Sequence, residues 1–176
     1  MAGPKDRVEI IDCTLRDGSY VADFQFTARD TESICRGLAR AGIRMIEVGH
    51  GLGLGASRAG HGKARESDEA YLEAARAGAG GAKVGAFFIP GIGSAEDIAA
   101  ARRRGLDFIR IGADVTRIES AREHVARART LGLEVSLNMM KSYAVDLAGM
   151  VSVAAAIRGY GASIVTVVDS AGCMLP

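Results

Sequence analysis

The sequence contains no tryptophan, three prolines, three histidines and only 5% aromatic residues. With so few rings, stability must come mostly from aliphatic packing. The cysteines, Cys13, Cys35 and Cys173, are odd in number and lack metal-site spacing. That argues against a disulfide scaffold and for reduced thiols in a cytoplasmic protein, with Cys13 and Cys35 as packing residues. Charge nearly cancels, at a net +1, so nothing broad favours nucleic acid or an anionic membrane. No apolar run reaches the length of a bilayer span, and the first seven residues lack the apolar core of a signal peptide.

What is abundant is glycine, 23 in a chain of 176 residues, enough chain for one domain with a sizeable core. Five of these glycines end Ala/Arg-rich helical patterns and pass directly into aliphatic runs: Gly42, Gly81, Gly105, Gly132 and Gly161. A glycine just past a helix accepts the left-handed conformation that closes the last turn, so each junction reads as helix, cap, strand. With Val8-Glu9-Ile10-Ile11 as a first strand, the chain is expected to form six strands and about five helices, in a parallel sheet covered by helices. Thr27, Ser67 and Ser94, each followed by acidic residues, mark three helix starts. The long connection from Gly49 to Lys63 is rich in glycine and small residues, as functional loops often are.

Periodicity alone leaves an open doubly wound sheet and a barrel both standing. A complete (β/α)8 barrel takes about 250 residues, so six βα steps would make an incomplete one. The chain stops at Pro176 directly after a strand, where a helix should begin, and so reads as cut.

Polar residues recur where the strands end. They are Arg16, Asp17 and Tyr20; Glu47 and His50; Pro90-Gly-Ile-Gly93; Asp114; Asn138 and Lys141; and Asp169 and Ser170. Convergence at one end of a parallel sheet is the pattern of a barrel active site. A surface ion pair would account for Arg16-Asp17 alone, but not for the whole set. Lys141 reads as solvated, and the Gly51–Gly55 run lacks phosphate-loop spacing. His61 and His124 read as surface residues.

Four segments carry a resemblance: Asp12-Cys-Thr-Leu-Arg16-Asp17-Gly18, Ile46-Glu47-Val-Gly-His50-Gly-Leu-Gly53, Ile89-Pro-Gly-Ile-Gly93 and Val168-Asp169-Ser170-Ala-Gly172. Together they resemble the DRE-TIM metallolyase superfamily. Within it they are nearest the 4-hydroxy-2-oxovalerate aldolases, with hydroxymethylglutaryl-coenzyme A lyases and isopropylmalate synthases more distant. The resemblance implies that residues 1–176 are the N-terminal portion of a (β/α)8 TIM barrel. It also implies a divalent-metal-dependent carbon–carbon lyase acting on a 2-oxo acid and an aldehyde through a pyruvate enolate. Asp17 would bind Mn2+ or Mg2+, Arg16 would stabilise the enolate, and Glu47 would orient Arg16. His50 stands where the aldolases also have His, although a lone His in a glycine-rich loop can simply bond to backbone. Ser170 and Asp169 would lie near the pyruvyl group, though Ser170 could equally cap a following helix.

Two departures stand out. Tyr20 occupies the place of the aldolases' His base, and a phenol, with a reference pKa of about 10, more naturally donates a proton or orients water at neutral pH. The family's His-x-His metal pair has no counterpart, since no His follows His124, so metal binding should be weak. Claisen-type condensation with an acyl thioester stays open. So does a non-catalytic or split barrel whose unpaired edges recruit a second copy or a complementary chain.

Overall fold

The computed structural model describes residues 8–174. Six parallel strands alternate with five α-helices. The strands are β1 (Ile11–Asp12), β2 (Met45–Glu47), β3 (Lys83–Phe88), β4 (Phe108–Asp114), β5 (Glu134–Met140) and β6 (Ile164–Val167). The helices between them are α1 (Ala28–Arg40), α2 (Asp68–Gly78), α3 (Ala95–Arg103), α4 (Arg122–Thr130) and α5 (Leu147–Tyr160). The strand order is strictly sequential, β1-β2-β3-β4-β5-β6. A doubly wound sheet reverses direction at a switch point; this one never does. The sheet instead curls through 220°, as an incomplete TIM barrel.

The helix ends follow local chemistry. Thr27 and Ser94 form capping boxes with Asp30 and Asp97, and the Ser67 side chain accepts from the Ala70 N–H. Four of the five junction glycines take positive φ: Gly42, Gly105, Gly132 and Gly161. At the remaining junction the left-handed residue is Gly80, not Gly81.

Strand alternation sorts the side chains. Ile46, Val48, Val84, Ala86, Phe88, Ile109, Ile111, Val135, Leu137 and Met139 pack under the helices as the main core. Their neighbours in sequence point to the concave face. The first strand is shorter than its β-branched run suggests. Its only neighbour among the described residues is the three-residue β2, and the ladder has two rows, Ile11↔Met45 and Asp12↔Ile46. Val8 and Ile10 therefore stay exposed.

The 49–63 connection is a run of turns folded onto the end of β3. The Leu54 N–H donates to the Phe87 carbonyl at 2.9 Å, and Leu54 and Ala56 are buried. Gly53, at φ +89°, presses so closely on that carbonyl that a Cβ would collide with it.

Candidate active site

On the concave face, the register places Glu47 beside Gly85, Phe87 beside Arg110, Arg110 beside Ser136, and Gly112 beside Asn138. Glu47 is the centre of this face, with no exposed surface. Its Oε1 accepts from Arg16 Nε at 2.5 Å, and both of its oxygens lie 3.2 Å from Arg110 Nη1. Both guanidiniums also lie against one ring, with Cζ 4.7 Å (Arg16) and 5.9 Å (Arg110) from the Phe87 centroid. A buried carboxylate is tolerable only when charge and hydrogen bonds compensate it, and the two arginines supply both. The Phe87 ring in turn needs space over β4, where a Cβ on Gly112 would sit 2.5 Å from its tip.

The electrostatics follow from this packing. Burial works against the Arg16 charge, but the Glu47 carboxylate outweighs it and raises Arg16 above its ordinary range. Arg16 thus stays cationic throughout the working pH range. Cys13 Sγ lies 3.3 Å from Arg110 Nη1. Burial, reinforced by the Glu47 charge, pushes its thiol to about 11, so it is neutral. Cys13 is therefore part of the polar face as well as a packing residue.

The residues after β1 form a short 3-10 turn, Asp17–Tyr20. Asp17 is two-thirds exposed, and its Oδ1 accepts from Arg16 Nη1 at 2.7 Å. Tyr20 packs over Gly51, where a side chain would strike its ring, and meets Phe24 edge-on at 5.2 Å. Burial raises the Tyr20 phenol above its ordinary pKa, with Arg16 opposing and Asp17 adding to the rise. Phe24 stacks at 4.0 Å on His50. His50 is buried beneath this stack, its Nδ1 accepting from the Leu52 N–H at 3.1 Å. The ring hydrogen is thereby assigned to Nε2, which lies beside the His61 and Gly62 backbone without a partner in hydrogen-bonding geometry. His50 supports the first loop from below.

At the far side of the face, Asn138 Oδ1 accepts from Ser136 Oγ at 3.0 Å, and Ser136 Oγ lies 2.8 Å from Thr166 Oγ1. Past β6, Asp169 accepts from the Ala171 and Met174 N–H groups, and Ser170 Oγ accepts from the Lys141 N–H at 2.9 Å. Lys141 is half-exposed and pairs with Asp114 at 3.0 Å. The structure thus brings Arg16, Asp17, Tyr20 and Glu47 together, places His50 behind them, and sets Asp169 and Ser170 on the last loop. His124, expected at the surface, is partly covered and lies 4.8 Å from the Phe88 ring.

Among the described residues, no three His, Cys, Asp or Glu side chains converge as metal ligands. Asp17 offers one hard oxygen donor beside Arg16, and a divalent ion held by protein takes several. The residues present do not fit a closed metal site.

A profile of the HMGL-like family matches residues 7–176. The chain belongs to the HMGL-like family. This bears out the resemblance to the DRE-TIM lyases. Among HMGL-like relatives, 4-hydroxy-2-oxovalerate aldolase 2 of Nocardia farcinica is 38% identical over 100% of this chain and 51% of its own length. The 4-hydroxy-2-oxovalerate aldolase of Geobacillus thermodenitrificans is 36% identical with the same coverage. The chain spans about half the length of the relatives it matches. In fold it is similar to the carboxyl transferase domain of Rhizobium etli pyruvate carboxylase, with a TM-score of 0.78 at 20% identity over 98% of this chain and 32% of that one.

Sequence reasoning passed over Arg110 in this HMGL-like sheet. The signal was a single cation inside Phe108-Ile-Arg-Ile111, with aliphatic residues on both sides. Phe87, Ser136 and Thr166 were missed for the same reason, since both faces of a barrel strand are covered and neither reads as solvent.

Proposed function

We propose that this chain carries the enolate-stabilising part of a carbon–carbon lyase that cleaves a 4-hydroxy-2-oxo acid to pyruvate and an aldehyde, or runs the reverse condensation. In cleavage the C4 hydroxyl gives its proton to a base (a water or the Tyr20 phenolate), the C3–C4 bond breaks and the aldehyde forms. The bonding pair passes to C3 and the C2 oxygen as an enolate, which is protonated at C3 to yield pyruvate. The observation that carries the reading is Arg16, held by the fully buried Glu47 at the mouth of the concave face. A cation fixed before reaction stabilises charge that develops only in the transition state. Tyr20, with its raised pKa, is protonated at neutral pH and suits donation to the aldehyde oxygen in the condensation direction. Asp169 and Ser170 are the proposed substrate contacts beyond β6, and His50 holds the loop that carries Tyr20. The family's chemistry suggests Mn2+ or Mg2+ on Asp17, but among the described residues Asp17 alone does not make a site for one.

The test is turnover of a 4-hydroxy-2-oxo acid by variants of the complete catalytic assembly. Arg16→Lys keeps the charge but loses the planar fork, and should cost about a hundredfold, or on the order of 3 kcal/mol. Tyr20→Phe should cost less, with Glu47→Gln between the two. A Tyr20→Phe enzyme more crippled than Arg16→Lys would overturn the assignment of roles.

A second reading, assembly with a second copy or a complementary chain, rests on apolar surface at the β6 end of the sheet. There Leu147 is 74% exposed, Val151 63% and Val167 55%. Sedimentation should show self-association that dissolves on substituting Leu147 and Val151 by polar residues. No helix among the described residues is long and apolar enough to cross a membrane. The three thiols favour a cytoplasmic compartment as part of the same proposal.

A further inference from the structure

The sequence contains a single asparagine, Asn138, and the fold buries it. It lies on the concave face of β5, beside Gly112 on β4 and Thr166 on β6, and is 1% exposed. Barrel interiors are filled mostly by Val, Ile and Leu, and an amide in their place is costly unless it is hydrogen-bonded. Half of this amide is. Asn138 Oδ1 accepts the Ser136 hydroxyl proton at 3.0 Å, so in the 2.8 Å contact between Ser136 and Thr166 the Thr166 hydroxyl is the donor. That chain of hydroxyls runs one way and ends on the amide oxygen, which fixes the amide plane. Nδ2, by contrast, makes no hydrogen bond among the described residues. Nor is it sealed, since the side-chain nitrogens there that lack both a partner and solvent are His50 Nε2 and Arg76 Nε. Nδ2 therefore opens onto the concave face with both hydrogens unused. A Cβ on the neighbouring Gly112 would sit 2.5 Å from the Phe87 ring and 3.0 Å from Met140 Sδ. The amide is thus flanked by an aromatic ring and a thioether, neither of them a good acceptor.

We infer that Asn138 is a specificity-determining residue whose Nδ2 donates to a neutral oxygen of the substrate, and that the preferred aldehyde carries a hydroxyl group beyond its carbonyl. The inference rests on the lyase reading and deepens it by naming the substrate class. In that reading Arg16 meets the oxygen that gains charge and Tyr20 the aldehyde oxygen, both from the chain that follows β1. A neutral donor on β5 suits an uncharged oxygen, which needs no counter-ion. A substrate ending in an alkyl group leaves the amide hydrogens unpaired, and a site built around a hydrogen bond rejects the analogue that cannot make it. The competing role for Asn138 is an internal strut, tying β5 to β6 through Ser136 and Thr166 and touching no ligand.

The test compares two 4-hydroxy-2-oxo acids of equal size, one ending in CH2OH and the other in CH2CH3. Each is titrated into the isotope-labelled 176-residue chain, followed by proton–nitrogen correlation NMR. Asn138 and Gln25 are the only side-chain carboxamides in the sequence. Gln25, exposed and donating to the Asp23 and Lys63 carbonyls, is the internal control. The hydroxylated acid should move the Asn138 NH2 signals, leave those of Gln25 in place, and bind about tenfold more tightly than the alkyl acid. In Asn138→Leu, which nearly keeps the volume, the two affinities should become equal. Asn138 signals that stay unmoved at saturation overturn the inference, as do equal affinities in the wild-type chain, a preference that survives in Asn138→Leu, or failure of both acids to bind. The NH2 signals need no variant, so they decide the matter even where Asn138→Leu does not fold. Turnover by the complete catalytic assembly separates the two readings. Cleavage of both acids with equal kcat/KM removes the specificity role and keeps the lyase. Binding through Asn138 with cleavage of neither acid keeps the binding site and removes the lyase.

Discussion

Replacing Glu47 by glutamine tests whether the buried cluster holds the sheet together as well as the site. Glu47 accepts from two arginines, at 2.5 Å from Arg16 Nε and 3.2 Å from Arg110 Nη1. The amide keeps the shape and one acceptor but loses the charge, and its NH2 group is turned toward a guanidinium. A hydrogen bond to a charged group contributes about 1.5–3 kcal/mol. Stripping one partner from a buried ion pair costs about 3–5 kcal/mol. Arg16, 11% exposed, can recover part of its hydration and also keeps Asp17; Arg110 keeps no carboxylate among the described residues. The expected loss is therefore about 3 kcal/mol, the lower part of that range. At about 2–4 °C per kcal/mol for a chain of this size, the melting temperature should fall by roughly 6–12 °C. Urea denaturation of Glu47→Gln, Arg110→Met and the double variant closes a cycle, in which the double variant should recover at least about 1 kcal/mol relative to additivity. A single-variant loss below about 1 kcal/mol, with no coupling in the cycle, would show that water already solvates this carboxylate.

Gly53→Ala should destabilise by about 1–3 kcal/mol through its positive φ alone, with a further cost from the Phe87 carbonyl, measurable as a shift in urea midpoint. Burial lowers the pKa of both His50 and His124, so their protons are bound more readily by the unfolded chain. Their contribution is complete above the unfolded value of about 6.5 and is lost as pH falls below it. Midpoints measured from pH 7.5 to 5.5 should decline, and less steeply in His50→Gln; an unchanged slope in that variant would count against the buried His50. Mn2+ titrated calorimetrically into residues 1–176 should bind weakly, because among the described residues no set of three metal ligands includes Asp17; tight one-to-one binding would refute that.

The helix–strand junctions were legible because left-handed backbone strongly selects glycine, and Gly42, Gly105, Gly132 and Gly161 occupy it. Gly80 and Gly81 show the limit, since adjacent glycines leave open which one carries the turn. Arg16, Asp17 and Glu47 stood out by breaking apolar runs at strand ends. Arg110 did not, because its significance depends on Glu47, 63 residues earlier, and no local pattern encodes that contact. Periodicity did not give the sheet order, since it reports which face a residue takes and not which strand lies beside it; the barrel order was implied instead by the family motifs at the strand ends. The brevity of β1 is likewise a property of its neighbour β2. His50 matched its motif but sits behind Phe24, a placement decided by how two loops stack.

The sequential strand order also bears on how the protein comes together in time. Each strand pairs with the one made just before it, so assembly can keep pace with synthesis and needs no waiting for a distant partner. The seven-row ladder between β4 and β5 is the most extensive in the sheet, whereas β1 meets β2 through two rows. A ladder so short gains little from local pairing and depends on tertiary partners to hold it. One such partner is Arg16, which reaches from the chain after β1 to Glu47 on β2. The residue that brings charge to the site is thus also a latch on the weakest seam, and fraying of that seam would carry the cation away from Glu47.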